Sequence, residues 1–259
     1  MRDFSEIWLE TVNDVLSNGN EISPRDKKTK EILHKTIEVD MKKPVLLAPS
    51  RKLSYTFLAA EAFWILSGDD KVETIAPYNK FITEFSDDSE KFFGAYGPKI
   101  QSQLPYVIKK LSEDKNTRQA GLTIWRESPP NTKDVPCTVA IFFNIRDNKL
   151  NTHVFMRSSD VWLGLPYDVF NFSMLSYMVC GMLHEHKIYL DPGSLFLTAA
   201  SSHLYEIHWE KARACLSDKI DTDYELRPLL WSSPNFLMQT LEELRDSKPG
   251  DLLRWWEQR

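Results

Sequence analysis

The chain of 259 residues is 42% hydrophobic and 27% charged, an ordinary balance for a soluble protein of one large domain or two small ones, with enough length to bury a substantial core. Its formal net charge of −5 argues against a general nucleic-acid coat, which would be basic, but leaves room for a local basic pocket around one phosphate. The three cysteines, Cys137, Cys180 and Cys215, are too few and too scattered for a disulfide framework, and no pair has metal-ligand spacing, so no metal is expected and a reducing cytoplasm is the default compartment.

In chain order, Phe4, Ile7, Trp8, Val12 and Leu16 recur at helical spacing and predict a helix over 3–18. Its opening, MRDFSEIWLE, is amphipathic and acidic and lacks the basic start and apolar run of a secretion signal. Gly19 and Pro24 in SNGNEISPR predict a loop, and KTIEVD (35–40) a strand. Residues 54–67 predict a buried, mostly apolar helix closing on Gly68. Residues 71–115 predict short helices with a loop around FFGAYGP, and QAGLTIWR (119–126) a strand followed by a turn-rich loop. PCTVAIFFNIR and KLNTHVFMRSS are β-rich runs on either side of Asp147-Asn148, which predicts an antiparallel hairpin. A helix over 167–183, a short strand and then a helix within 194–214, and a helix over 235–246 complete the chain. No stretch approaches the roughly 18 apolar residues of a membrane span. This order of elements fits α+β better than a doubly wound fold.

Several residues could carry chemistry. Cys137, after Pro136 at the start of an apolar strand, could be a nucleophile, although a lone cysteine is more often a small buried hydrophobe. A thiol needs nearby positive charge to ionise, and Arg157 at the end of the paired strand is well placed to supply it. Arg157 with Ser158 ahead of a turn also makes a reasonable anion site. His203 and Tyr205, two residues apart, share one face of a strand. Glu61 inside the apolar helix must be paired, protonated or functional. His184 and His186 diverge at a helix end and make a poor metal pair, and Arg25 in its loop is uninformative by itself.

Taken together, these residues resemble the thymidylate synthase family, including its pyrimidine hydroxymethylase branch, from about Arg25 to about Trp209. Pro136-Cys137 matches the family's catalytic Pro-Cys, and Arg157, Ser158, Ser159 and Asp160 match its Arg-Ser-x-Asp. Leu163–Pro166 match its Leu-Gly-x-Pro turn, and the interval from Cys137 to Arg157 is the family's interval. Glu61, Trp64, Gly68 and Asp69 match its glutamate-bearing helix, Tyr96-Gly97 its Tyr-Gly near the folate, and His203 and Tyr205 its sugar-binding His-x-Tyr. The chain departs from the synthases at Thr138 (usually His), at Met156 (usually Gln), at Arg118-Gln119 (usually two arginines) and in the tail LLRWWEQR. It departs most tellingly at Asp168, where the synthases carry the asparagine that reads uracil.

The resemblance implies one catalytic domain over 1–259, with an α+β fold whose large mixed or antiparallel sheet packs against helices and uses one face for dimerisation. It implies catalytic roles for Cys137, Glu61 and Asp168, and nucleotide binding by Arg25, Arg157, Ser158, Asp168, His203, Tyr205 and the neighbouring subunit's copy of Arg118. It implies folate contacts at Asp160, Tyr96 and Gly164, with 5,10-methylenetetrahydrofolate as co-substrate, no metal, no membrane and no direct nucleic-acid binding. An ionised carboxylate at 168 accepts from the N4 amine of cytosine but faces the lone pairs of uracil O4, so the expected substrate is a pyrimidine monophosphate of the cytidylate kind, and the expected product its 5-hydroxymethyl derivative. The alternatives are a cytidylate methylase, a uridylate-directed enzyme, a thiol hydrolase built on Cys137, and a silent nucleotide-binding homologue.

Overall fold

The computed structural model describes residues 2–220, 224–226 and 229–247. The C-terminal segment LLRWWEQR lies outside them. Among the described residues one seven-stranded sheet, with strand order β1-β2-β7-β5-β4-β3, forms the backbone of the fold: β1 (Asn20–Ile22), β2 (Thr29–Asp40), β3 (Gly121–Thr123), β4 (Thr138–Arg146), β5 (Lys149–Met156) and β7 (Asp191–Tyr205), with the short β6 (Ser159–Asp160) pairing off the path with β7. The sheet is mixed. β1-β2, β2-β7, β3-β4 and β4-β5 are antiparallel, whereas β5-β7 and β6-β7 are parallel. Strands and helices follow one another without βαβ regularity, the α+β class that the order of elements predicts.

The β4-β5 hairpin turns on Asp147 and Asn148, at φ 49° and 59°. Two consecutive positive φ values make the turn whose twist matches paired strands, and Asp and Asn tolerate them better than most residues. Strand alternation then sorts the side chains. Ile141, Phe143, Ile145, Leu150, Val154 and Met156 face inward and are buried, while Phe142 and Phe155 face outward at 40% and 44% exposure.

The helix α5 (Leu165–Glu185) runs through the middle of the core. It is apolar on nearly every side, and its polar residues are absorbed locally: Ser173 donates to Val169 O at 2.7 Å, and Ser176 donates to Phe172 O at 2.7 Å and meets Thr152 at 2.7 Å. The helix α2 (Tyr55–Leu66) starts on a Ser54 cap and ends at Gly68, φ +80°, as the sequence predicts. The other α-helices among the described residues are α1 (Phe4–Asn18), α3 (Val72–Ile75), α4 (Gly97–Glu113), α6 (Trp209–Cys215) and α7 (Pro234–Asp246).

Several sequence-based boundaries are corrected. The loop expected in SNGNEISPR contains β1, and the strand expected over 35–40 begins at Thr29. The strand expected over 119–126 is three residues long, and the short strand expected after 194 is a 15-residue strand, β7. The short helices expected over 71–115 include the 17-residue α4. Long antiparallel pairing drives these changes. β2 and β7 register from Thr29↔Tyr205 to Asp40↔Ser194, and each polar half is held in strand form by its partner's hydrogen bonds rather than by its own pattern.

From Leu195 to Ala199 burial in β7 falls on odd positions, and from Ser202 it falls on even ones. The switch lies level with His34 of β2, whose φ of 56° breaks regular strand geometry opposite Ala200. Beyond it, Ser202 and Leu204 are buried, and His203 and Tyr205 fall on the half-buried face. Without the switch, the two residues would lie on the buried side.

Candidate active site

Cys137 lies one residue ahead of β4. The backbone N–H of Arg157, just past the end of β5, donates to Cys137 O at 2.9 Å, so the hairpin brings thiol and guanidinium to the same edge. The guanidinium then turns back along the chain: Nε donates to Pro136 O at 3.0 Å and Nη2 to Val135 O at 2.9 Å. Burial nonetheless pushes the Cys137 thiol above its ordinary value. Arg157 pulls it down, and the carboxyls of Asp168, Asp134 and Asp160 add to the rise. Arg157 is where the sequence puts it, but in the free protein its charge does not outweigh desolvation.

A cavity of about 160 Å³ is lined by Asp134 and Asp168, two of the carboxyls that act on the Cys137 thiol, although Cys137 itself is not part of its lining. One wall is polar: Glu61 from α2, Tyr96 at the head of α4, Asp134, and Asp168 and Asn171 from α5. The other is apolar, with Trp64, Ile82, Phe85 and Phe92, where Trp64 and Phe92 meet edge to face at 5.6 Å. Glu61 and Asp168 are half-buried and both line the cavity. Desolvation raises Glu61 to about 7, against a single opposing hydrogen bond from Asn171 Nδ2 to Oε2 at 2.7 Å. Burial drives Asp168 well above the usual carboxylate range, and the neighbouring charges of Glu61 and Asp160 push the same way. The surroundings of Asp168 therefore favour its protonated form, where an ionised carboxylate was expected.

Tyr96 stacks on Phe172 at 6.4 Å, and its hydroxyl accepts from Thr138 N at 3.2 Å, which fixes the phenol beside the nucleophile's strand. The Tyr96-Gly97 and Gly68-Asp69 matches meet in space. A Cβ on Gly97 would come within 2.8 Å of Asp69 O and 2.9 Å of Gly68 C, so only glycine lets α4 start against the end of α2. Gly164 precedes α5, and a Cβ there would sit 3.2 Å from Asp168 Oδ2. Asp160 Oδ1 accepts from the N–H groups of Trp162 and Leu163, both at 2.8 Å, and so folds the turn that launches α5 and aims Asp168.

A second cluster gathers at the end of β7. Ser158 Oγ lies 3.4 Å from His203 Nδ1, and His203 and Tyr205 meet edge to face at 5.2 Å. Arg25 Nη2 donates to Tyr205 OH at 3.4 Å from a backbone at φ 53°, followed by Asp26 at φ 59°. Two successive left-handed non-glycine residues are rare, and they swing the Arg25 side chain toward the strand end. Burial lowers His203 below its ordinary value, opposed by the charges of Asp160 and Glu31. Arg118 stands apart, in the α4-β3 turn with Lys110, Asp114 and Gln119, and does not line the Glu61 cavity.

Sequence reasoning missed the apolar part of the lining and two of its polar residues, Asp134 and Asn171. Asp134 accepts from Gly94 N at 2.7 Å, and burial raises its pKa. Asn171 is buried at 4% exposure and bonded to Glu61. The signal was available for Asn171, which lies three residues after Asp168 on the same predicted helix face.

A family model described as thymidylate synthase matches residues 6–239. The chain belongs to the thymidylate synthase family. A deoxyuridylate hydroxymethyltransferase of Bacillus phage SP01 is 26% identical over 276 residues, covering 92% of this chain and 71% of the relative. A thymidylate synthase of Mycoplasma genitalium is 25% identical over 247 residues, covering 81% of this chain and 84% of the relative. The fold is accordingly that of the family, and the activity class is one-carbon transfer to a pyrimidine nucleotide, for which family members use methylenetetrahydrofolate. Among the described residues no group of histidine, cysteine and carboxylate side chains could hold a metal ion, and no helix is long and apolar enough to cross a membrane.

Proposed function

We propose that the protein is a 5-hydroxymethylase of cytidine or deoxycytidine 5′-monophosphate. The single observation that carries the reading is Asp168, a carboxyl whose surroundings favour protonation, in the position of the family's uracil-reading amide, lining one cavity with Glu61 and acting on the Cys137 thiol. A carboxylic acid offers cytosine one donor for N3 and one acceptor for N4–H. Unlike an amide, it can also hand its proton over. When Cys137 Sγ adds to C6, negative charge moves through C5 toward N3 and N4, and a proton delivered to N3 stabilises that charge where it develops. Arg157 favours the thiolate that attacks. Glu61, raised to about 7, is suited to take and return protons near neutral pH and to orient water beside C5. Arg25, Arg157, Ser158 and the neighbouring subunit's copy of Arg118 hold the phosphate, and His203 and Tyr205 the sugar hydroxyl.

The apolar residues of the cavity lining suit a flat heterocycle, and Trp64, one of them, has a buried Nε1 donor without a partner among the described residues. Tyr96 lines the same space, whereas Asp160 and Gly164 lie outside its lining, in the turn that leads to Asp168. When bound, 5,10-methylenetetrahydrofolate supplies the one-carbon unit to C5. The hydroxymethyl product then requires water rather than hydride to reach the new exocyclic carbon. Two observations favour it: the Bacillus phage SP01 relative is a hydroxymethyltransferase by name, and Thr138 beside the nucleophile replaces the usual histidine. The outward sheet face supports a homodimer. Phe142 and Phe155 meet edge to face at 6.3 Å, His153 stacks on Phe196 at 4.9 Å, and Leu33 is 67% exposed, an apolar surface suited to a second copy.

A uridylate substrate is the second reading, and one observation favours it. A protonated Asp168 would present one donor and one acceptor to the base edge, as the amide it replaces does, and the phage relative is named for deoxyuridylate. The decisive assay compares kcat/KM for the four monophosphates CMP, dCMP, UMP and dUMP, with product mass, in the wild type and Asp168→Asn. The expected outcome is a cytidylate preference that the variant loses mainly through kcat. The loss of one charge-assisted interaction is worth about 1.5–3 kcal/mol, or roughly 10- to 150-fold. A wild-type preference for dUMP, or an unchanged ratio in the variant, overturns the assignment.

A further inference from the structure

We propose that Asn171 is a specificity-determining residue, its Oδ1 demanding a hydrogen-bond donor at position 4 of the pyrimidine and thereby selecting an amino over an oxo group. The inference rests on the pyrimidine-nucleotide reading above and supplies what Asp168 cannot. A neutral carboxylic acid matches both bases: its O–H serves N3 of cytosine or O4 of uracil, and its carbonyl serves N4–H or N3–H. Discrimination needs a neighbour with one polarity only.

Asn171 has that property because one end of its amide is already committed. Nδ2 donates to Glu61 Oε2 at 2.7 Å, and an ionised Glu61 can only accept, so the amide is held with nitrogen toward Glu61 and oxygen away from it. The oxygen at the other end is buried, in a residue only 4% exposed, and has no hydrogen-bond partner among the described residues. Buried acceptors are rarely left unpaired in folded proteins. The position is right for a role in base reading. Asn171 lies three residues after Asp168 on α5, hence on the same helix face, and both line the cavity with Glu61. The exocyclic amine of cytosine carries two hydrogens. If Asp168 takes the one beside N3, the other remains for Asn171. The O4 of uracil carries none and would set lone pair against lone pair.

A purely structural role, in which Asn171 only steadies Glu61, makes a different forecast, because both bases would then suffer alike when it is replaced. The test measures the Kd of dCMP and dUMP by calorimetry at pH 8.5, where Glu61 is ionised, for the wild type, Asn171→Leu and Asn171→Ser, with near-UV circular dichroism as the folding control. The leucine is close in shape and has no acceptor. We expect it to reduce the wild-type preference for dCMP by about 3- to 10-fold, mostly by weakening dCMP, the size of one net hydrogen bond. The serine hydroxyl both accepts and donates, and should give a smaller loss in the same direction. If Asn171→Leu does not fold, the serine variant decides. An unchanged Kd ratio in folded variants overturns the inference. If that happens while Asp168→Asn still erases the cytidylate preference, only this inference falls. If the wild type binds dUMP better, the cytidylate reading and this inference fall together.

Discussion

Replacing Glu61 with glutamine should stabilise the protein at alkaline pH and leave it nearly unchanged in acid. Glu61 sits in an apolar helix with one hydrogen bond to its carboxyl, and burial raises its pKa from 4.5 to about 7. The folded state therefore binds more protons than the unfolded chain between those two values, so stability falls as pH rises through that window. Below pH 4.5 the carboxyl is neutral in both states and costs nothing. Above about 7 the full cost applies: a shift of about 2.5 pH units at 1.36 kcal/mol each gives about 3 kcal/mol, a ceiling because the cavity admits water. Asp168 acts in the same direction, since the Glu61 charge contributes to its raised pKa and would be absent in the variant. Urea titrations of the wild type and Glu61→Gln at pH 5 and pH 9 provide the assay. The stability difference in favour of glutamine should grow by about 2–3 kcal/mol between the two, and at roughly 2–4 °C per kcal/mol the melting temperatures should separate by about 4–12 °C. A difference that stays constant from pH 5 to pH 9 would refute the idea that an unpaired carboxylate is being held in this cavity. The same variant should lose turnover, so the gain in stability would mark a site kept at the expense of the fold.

Cys137→Ser should abolish turnover while nucleotide binding remains measurable by calorimetry, and turnover near the wild-type rate would remove Cys137 as nucleophile. Mixing inactive Arg118→Ala chains with inactive Cys137→Ser chains should restore partial activity after subunit exchange, because each heterodimer would hold one site with both residues intact. No recovery after exchange has been demonstrated would count against a shared site, and Arg118's distance from the Glu61 cavity within its own chain would then need another purpose.

The sequence by itself determined the class of fold, the hairpin and the chemical inventory of the site. Those features are local: a positive-φ dipeptide at 147–148, a capped apolar helix ending at Gly68, and motifs whose residues lie within a few positions of one another. It also located Asp168, because the substitution is visible one residue at a time. Tertiary structure decided what those residues are like once enclosed. No pattern in the chain reports that Asp168 and Glu61 share one cavity, since they come from two helices more than a hundred residues apart, and it is burial there, with the Glu61 charge adding to it, that raises the pKa of Asp168. The full length of β2 and β7 was likewise hidden, because pairing along the whole register recruits polar residues with no strand pattern of their own. The same holds for Asn171, an ordinary helix asparagine in the sequence. Its meaning comes from a neighbour on another helix that claims its nitrogen and leaves its oxygen buried and unpaired.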